Sequence, residues 1–503
     1  MKIVVNTIAS YSRTIFGIIF VLFSSRWVLS SLGVSDFGIY SLVGSILAIV
    51  VFLNTILANG NSRFISIAIG KNDEKELNEL FKTIVVIHTV VPVFVLLIGY
   101  FVGVYAINHW LEIPQQRIGA TVFVFQIAII ASFFAMIAVP YTASFIANQN
   151  IVQYSLITLG QSFLYFLSAY LLRFFDGDHL IIYTIFMSVS NLLIYSIMIV
   201  VAMTKYSYCR KFWKYRFDAA RAIEIVKYAF WNFIGSFGHL CRTQGVSIIV
   251  NLFFGTQGNA ALGIANQVAT QSANLTNALS SATSPEVYTR IGKNDFVSAN
   301  NLSISISKFG TCLILLLSSV IICNLEELLF LWLTNVPPYT KELCLCFILM
   351  YILEKITMGP NIYLSGINKI ALVQTLTLIC YLLSIVFPYL GLINLFGIVG
   401  VGIACVLSMF LAIISVQYCY NKYSGFTSLK VFLKLIFVSF PLYGLSLLLG
   451  NINEKLLFPF GIKLVVSSLF VIIIIAFVFR SVVFNEQELK VIKQNFNKLC
   501  KKK

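Results

Sequence analysis

Apolar residues run through this chain in stretches of about twenty or more, and fourteen such stretches predict fourteen membrane-crossing helices. They cover roughly 8–32, 37–59, 83–107, 119–147, 152–172, 181–203, 225–254, 259–284, 303–324, 342–365, 371–390, 398–420, 431–449 and 461–483. Membrane β-barrels show short alternating segments instead, so the length of these runs argues for helices. Pro92, Pro140, Pro360, Pro388 and Pro441 fall inside the runs and predict kinks rather than ends.

Two neighbouring runs, between Trp231 and Pro285, carry polar residues in rows. Asn232, Ser236, His239 and Thr243 are spaced four, three and four apart, which places them on one helical face with Arg242 at its edge. Asn259, Asn266, Thr270, Asn274, Asn277 and Ser281 repeat at the same period on the next run. Lipid cannot satisfy such rows, so both are expected to face a protein interior or a wet cavity. A transport protein with a polar cavity follows.

Composition agrees: 59% of residues are hydrophobic and 11% charged, whereas soluble domains hold about 25% charged residues. The formal charge of +16 invites a nucleic-acid reading, which its placement removes. Alternate connections, counted from the N-terminus, hold 22 Lys and Arg against 4 on the opposite side. That bias predicts both termini in the cytoplasm, with the basic tail 484–503 beside anionic headgroups. The ten cysteines lie mostly within apolar runs without metal-ligand spacing and read as small core residues. No cofactor or metal is expected. The longest connection, 204–224, leaves no room for a soluble domain.

A repeat is legible. Ile69-Gly70-Lys71-Asn72-Asp73 recurs as Ile291-Gly292-Lys293-Asn294-Asp295, and Gly33, Thr55 and Asn59 map onto Gly255, Asn277 and Ser281 at the same offset of 222. Pro140 maps onto Pro360, and Asn148-Gln149-Asn150 onto Ile367-Asn368-Lys369. Six spans separate equivalents, so the halves share one orientation. The expected fold is all-α and polytopic, with two parallel-repeat six-helix lobes and two appended C-terminal helices. The lobes are 1–203 and 225–420, joined by a cytoplasmic linker at 204–224; 431–483 holds the appended pair.

Few ionisable side chains are deep in the runs. Arg242 is a candidate anion anchor, its burial costing about 2.5–3.5 kcal/mol unless hydrated or paired; helix-to-helix hydrogen bonding is the plainer reading. Arg13 shares a face with Asn6 and Ser24. Arg26 approaches the far end of the same span, where snorkelling competes with a cavity role. Arg63 continues the row Ser41, Ser45, Thr55 and Asn59 to a span end, as headgroup contact or anchor. Glu354 and His88 are candidate coupling residues, with a structural ion pair and a hydrogen-bonded core histidine as the alternatives. A cavity rich in Arg, Asn, Gln and Ser but poor in carboxylates suits an anionic, hydroxyl-rich ligand.

Ser25-Arg26, Leu32-Gly33, Asp36-Phe37-Gly38-Ile39-Tyr40, Arg63-Phe64, Ile113-Pro114, Arg117 and Pro140-Tyr141 resemble the pattern of Wzx-type oligosaccharide flippases. So do Gln244-Gly245, Asn251, Phe253-Phe254-Gly255, Asn259-Ala260-Ala261, Gly263-Ile264-Ala265, Gln267-Val268 and Pro285. That group is the polysaccharide branch of the MOP (MATE-like) exporter superfamily, and the likeness covers about the first 300 residues. It implies a non-enzymatic flippase moving an undecaprenyl-pyrophosphate-linked oligosaccharide across a bacterial inner membrane by alternating access, for O-antigen or other surface polysaccharide. Contact with polysaccharide assembly proteins goes with that role. The resemblance puts the cationic cavity on Arg242 with Arg13 or Arg26. A cation-coupled multidrug exporter is the alternative, against which the single deep carboxylate counts. A glycan polymerase or glycosyltransferase would need a larger extramembrane loop.

Overall fold

The computed structural model describes residues 2–109, 113–333, 336–455, 459–486 and 488; within its helices some side chains, among them those of Arg26, residues 45–59 and Asn259, are outside the description. Among the described residues every regular element is helical. Without water to satisfy free N–H and C=O groups, a spanning chain must close its hydrogen bonds within each segment.

The helices run in order as α1 (Lys2–Lys71), α2 (Glu74–His109), α3 (Ile118–Ala147), α4 (Ile151–Leu171), α5 (His179–Lys205), the short α6 (Ser207–Lys211) and α7 (Ala219–Leu240). Then follow α8 (Val246–Gly292), α9 (Phe296–Cys323), α10 (Leu325–Trp332), α11 (Thr340–Ile356), α12 (Met358–Gly366) and α13 (Ala371–Phe387). The four-residue α14 (Ile393–Phe396), α15 (Val399–Ser424), α16 (Leu429–Lys455) and α17 (Phe460–Val478) complete the chain. Each predicted span falls on helix, and the molecule is an all-α polytopic membrane protein. Nine helices among the described residues are long and apolar enough to cross a bilayer by themselves, ten when α11 and α12 count as one span bent by 42°. The remaining predicted spans are the halves of α1 and the continuous stretch of α7 and α8.

Connections expected at 33–36 and 255–258 are instead single-residue breaks. Gly33 (φ 75°) and Gly255 (φ 64°) each interrupt one long helix. Positive φ is nearly free for glycine and costly for a residue with a Cβ, so one glycine replaces a loop. The repeat is written in the backbone elsewhere too. Asn72 and Asn294, Gln149 and Asn368, and Gly177 and Gly397 all take positive φ at equivalent positions.

The chain forms two compact units, Lys2–Ala229 and Phe230–Lys503. In the first, α1 packs on α3 and α4, and α3 on α2 and α5, around Val28, Phe125, Met136 and Leu172. In the second, α11 is central, packed on α8, α9 and α15 with Leu343, Phe347 and Leu353 fully buried. The outward faces are as apolar as the cores: α17 leaves Phe477 70% exposed and α16 Phe437 74%. Faces of that kind have hydrocarbon as their natural solvent.

Candidate functional site

Three of the four residues in the α7 row, Asn232, Ser236 and His239, line a cavity of about 370 Å³ in the second unit. Glu354 of α11, Asn361 and Ser365 of α12, and Gln374, Thr377 and Tyr381 of α13 complete its polar wall. The walls meet closely because α7 is thin there: a Cβ at Gly235 would strike the Gln374 side chain, and one at Gly238 would lie 2.9 Å from Leu378 Cα.

Arg242 sits just beyond, in a π-helical turn over Cys241–Gly245 that joins α7 to α8. A π turn inserts an extra residue into the helix and rotates everything after it. Thr243 therefore leaves the row of His239. It lines a separate space of about 10 Å³ with Arg242, Asn266, Tyr351 and Cys405, room for about one water. Arg242 is 2% exposed, its guanidinium carbon 4.4 Å from the centre of the Tyr381 ring. Its Nη1 and Nη2 donate no hydrogen bond among the described residues. Tyr381 thus belongs both to the cavity wall and to the arginine's contact.

Glu354 and Lys355 are adjacent, so helix geometry starts their side chains about 100° apart, yet they pair with each other at 2.8 Å. The long lysine stem bridges the angle, and the buried Nζ also donates to Asn277 Oδ1 at 2.9 Å. Arg242, His239, Glu354 and Lys355 lie within electrostatic reach of one another, so two cations face one carboxylate. Thr270 bonds back to the Asn266 carbonyl, whereas Asn274 is exposed.

The remaining predicted residues belong to the first unit. The Arg13 guanidinium lies 5.2 Å from the Tyr154 ring centre, and Asn6 donates to the Gln149 carbonyl at 3.0 Å. Arg63 is buried between the rings of Phe64 and Tyr228, at 4.5 and 4.6 Å. His88 is buried, its Nε2 2.7 Å from Asn61 Nδ2 and its Nδ1 3.2 Å from the Met136 carbonyl, so one nitrogen accepts and the other donates. The side chains of Arg26 and Asn59 lie outside the described ones. Each described candidate arginine thus rests on an aromatic face, a contact worth about 0.5–2 kcal/mol.

Sequence reasoning passed over the far wall of the cavity. Gln374, Thr377 and Tyr381 are spaced three and four apart, as are Asn361 and Ser365 at four, and the periodicity applied to α7 would have found them. A further polar cluster, Gln161 with Tyr165 and Asn191, joins α4 to α5 in the first unit. At the Gly33 break, Arg117 holds Asp36 at 2.5 Å and Asp178 at 2.6 Å, and His179 donates to the Ser31 carbonyl. The hydrogen bonds from Arg117 hold the Asp178 carboxyl below the usual range.

Kinked, glycine-broken spans in two like-built units define a polytopic helical membrane fold. No family model and no curated protein matches the sequence. Solved structures do match. A MATE transporter point mutant superposes with a TM-score of 0.73 at 13% identity, over 84% of this chain and 96% of that one. A MOP superfamily transporter from Pyrococcus furiosus, described with a binding pocket of reverse polarity that suggests a different function, gives 0.70 at 12%, over 84% and 95%. A Vibrio cholerae MATE transporter in its bent form gives 0.65 at 15%, over 84% and 98%. The chain shares the fold of these transporters.

Proposed function

We propose that this protein is a non-enzymatic flippase, moving a lipid-linked oligosaccharide between bilayer leaflets by alternating access. One observation carries the reading: an amide- and hydroxyl-lined cavity adjoins a buried arginine whose Nη donors are uncommitted among the described residues, and cations there outnumber the carboxylate. Amides and hydroxyls replace the water around sugar hydroxyls, and a guanidinium pairs bidentately with a phosphate or pyrophosphate. Tyr381 stands at the boundary, so its rotation would open Arg242 to the cavity. The cargo best suited is a repeat unit on undecaprenyl pyrophosphate, in a bacterial inner membrane with both termini cytoplasmic. The reverse-polarity neighbour is a precedent for pocket charge and function varying together on this fold.

The lipid-linked species that accumulates in cells lacking the protein, identified by mass, tests this directly. A glycan pyrophosphate lipid that clears when the intact gene is restored supports the proposal; no such species, with drug sensitivity instead, removes it. Glu354 in the cavity wall favours the second reading, a cation-coupled multidrug exporter. In that case Glu354→Gln abolishes efflux and Arg242→Ala does not.

A further inference from the structure

A second surface carries its own chemistry. Between α5 and α7 the chain does not hang as a loop. Tyr206, Tyr208 and Phe212 are buried, with Tyr208 and Phe212 edge-on to Phe81 at 5.3 and 5.7 Å. Asn150 and Asn148 donate to the hydroxyls of Tyr206 and Tyr208. At the far end the Asp218 amide donates to Thr83 Oγ1, and Arg221 pairs with Asp218 and Glu76. The segment is clamped to the first unit at both ends.

What the clamp turns outward is uniform. Arg210, Lys211, Lys214 and Arg216 are all exposed, and none makes a salt bridge among the described residues. The nearby acids Asp218 and Glu76 are already taken by Arg221 and Lys71. Among these cations stand Trp213, 63% exposed, and Phe217, 47% exposed. In water that apolar area is a loss; at the headgroup level of a bilayer, where indole rings concentrate, it is a gain. The segment begins at Tyr206, directly after the candidate span His179–Lys205, so it leaves the hydrocarbon at that level.

We propose that residues 206–217 form a rigid platform that binds anionic phospholipid headgroups, the four free cations taking the phosphates and Trp213 and Phe217 entering the interface. This goes beyond the cavity reading and does not depend on it.

For the test, the full chain is reconstituted in phosphatidylcholine vesicles with a minor fraction of phosphatidylglycerol, and lipids retained on the extracted protein are counted by native mass spectrometry. Replacing Arg210, Lys211, Lys214 and Arg216 together by Gln should lower the retained ratio of phosphatidylglycerol to phosphatidylcholine about tenfold, screening having reduced the full effect of four cations. Lys422→Gln with Lys430→Gln should leave the ratio unchanged. In the unaltered chain, brominated phosphatidylglycerol should quench the emission missing from Trp213→Phe more than brominated phosphatidylcholine does, and high salt should abolish the difference. Equal quenching by both lipids at low salt overturns the proposal. So does a response of Trp213 to inorganic phosphate or a soluble protein with none to phosphatidylglycerol, or an unchanged lipid ratio in the folded fourfold variant.

Discussion

Replacing Arg242 by Met separates a residue kept for ligand from one kept for the fold. In the structure the guanidinium gives up a stacking contact with Tyr381, worth about 0.5–2 kcal/mol, and its attraction to Glu354, which retains Lys355 at 2.8 Å. Against that loss, the variant escapes the cost of a deep cation, about 2.5–3.5 kcal/mol on insertion scales. Met follows much of the arginine stem, so no large cavity opens beside Tyr351 and Cys405. The terms nearly offset, and the thermal midpoint in detergent should stay within a few degrees of the parent or rise. Ligand contact is different: losing a bidentate charge-assisted contact, about 1.5–3 kcal/mol, weakens affinity for a pyrophosphate lipid by about 10- to 150-fold. Arg242→Lys should recover only part of that, because an ammonium cannot form the planar fork. The assays are thermal unfolding by Trp emission and displacement of a fluorescent pyrophosphate lipid. A Met variant that unfolds much earlier yet binds normally when folded would show that the arginine serves packing and not the ligand.

Lys355→Met should destabilise by about 3–5 kcal/mol, because it leaves Glu354 without its partner at 2.8 Å; the companion change Glu354→Gln should restore most of the lost midpoint. Gly238→Ala places a methyl 2.9 Å from Leu378 Cα, so α7 and α13 must separate; unfolding should report a loss of about 1–3 kcal/mol and the cavity ligand should bind more weakly. Asp178 has a carboxyl pKa lowered by Arg117, so its contribution is present above the unfolded pKa and disappears as pH falls through the folded one. Asp178→Asn should therefore flatten the acid limb of stability and leave neutral-pH binding at Arg242 untouched.

Much of the fold could be read before any coordinates. Hydropathy alone located the spans, since a bilayer admits few backbone solutions. The repeat, visible as one pentapeptide and a handful of offsets, reappears as matched positive φ at Asn72 and Asn294 and at Gly33 and Gly255. Part of the site was legible for the same reason: a polar row at helical spacing must find a polar environment, and Asn232, Ser236 and His239 found one.

Other features needed the third dimension. Periodicity assumes an unbroken 3.6-residue helix, so it could not foresee the π turn that separates Thr243 from its row and holds Arg242 against Tyr381. Adjacency suggested that Glu354 and Lys355 diverge, whereas side-chain reach and the position of Asn277 on α8 brought them together. The opposite wall, Gln374 to Tyr381, comes from a segment more than a hundred residues away, and only packing decides which distant rows share a cavity. Sequence determined which surfaces could not face lipid, because transfer energies belong to individual residues. Tertiary structure decided what those surfaces face instead, because close approach of helices depends on many side chains at once.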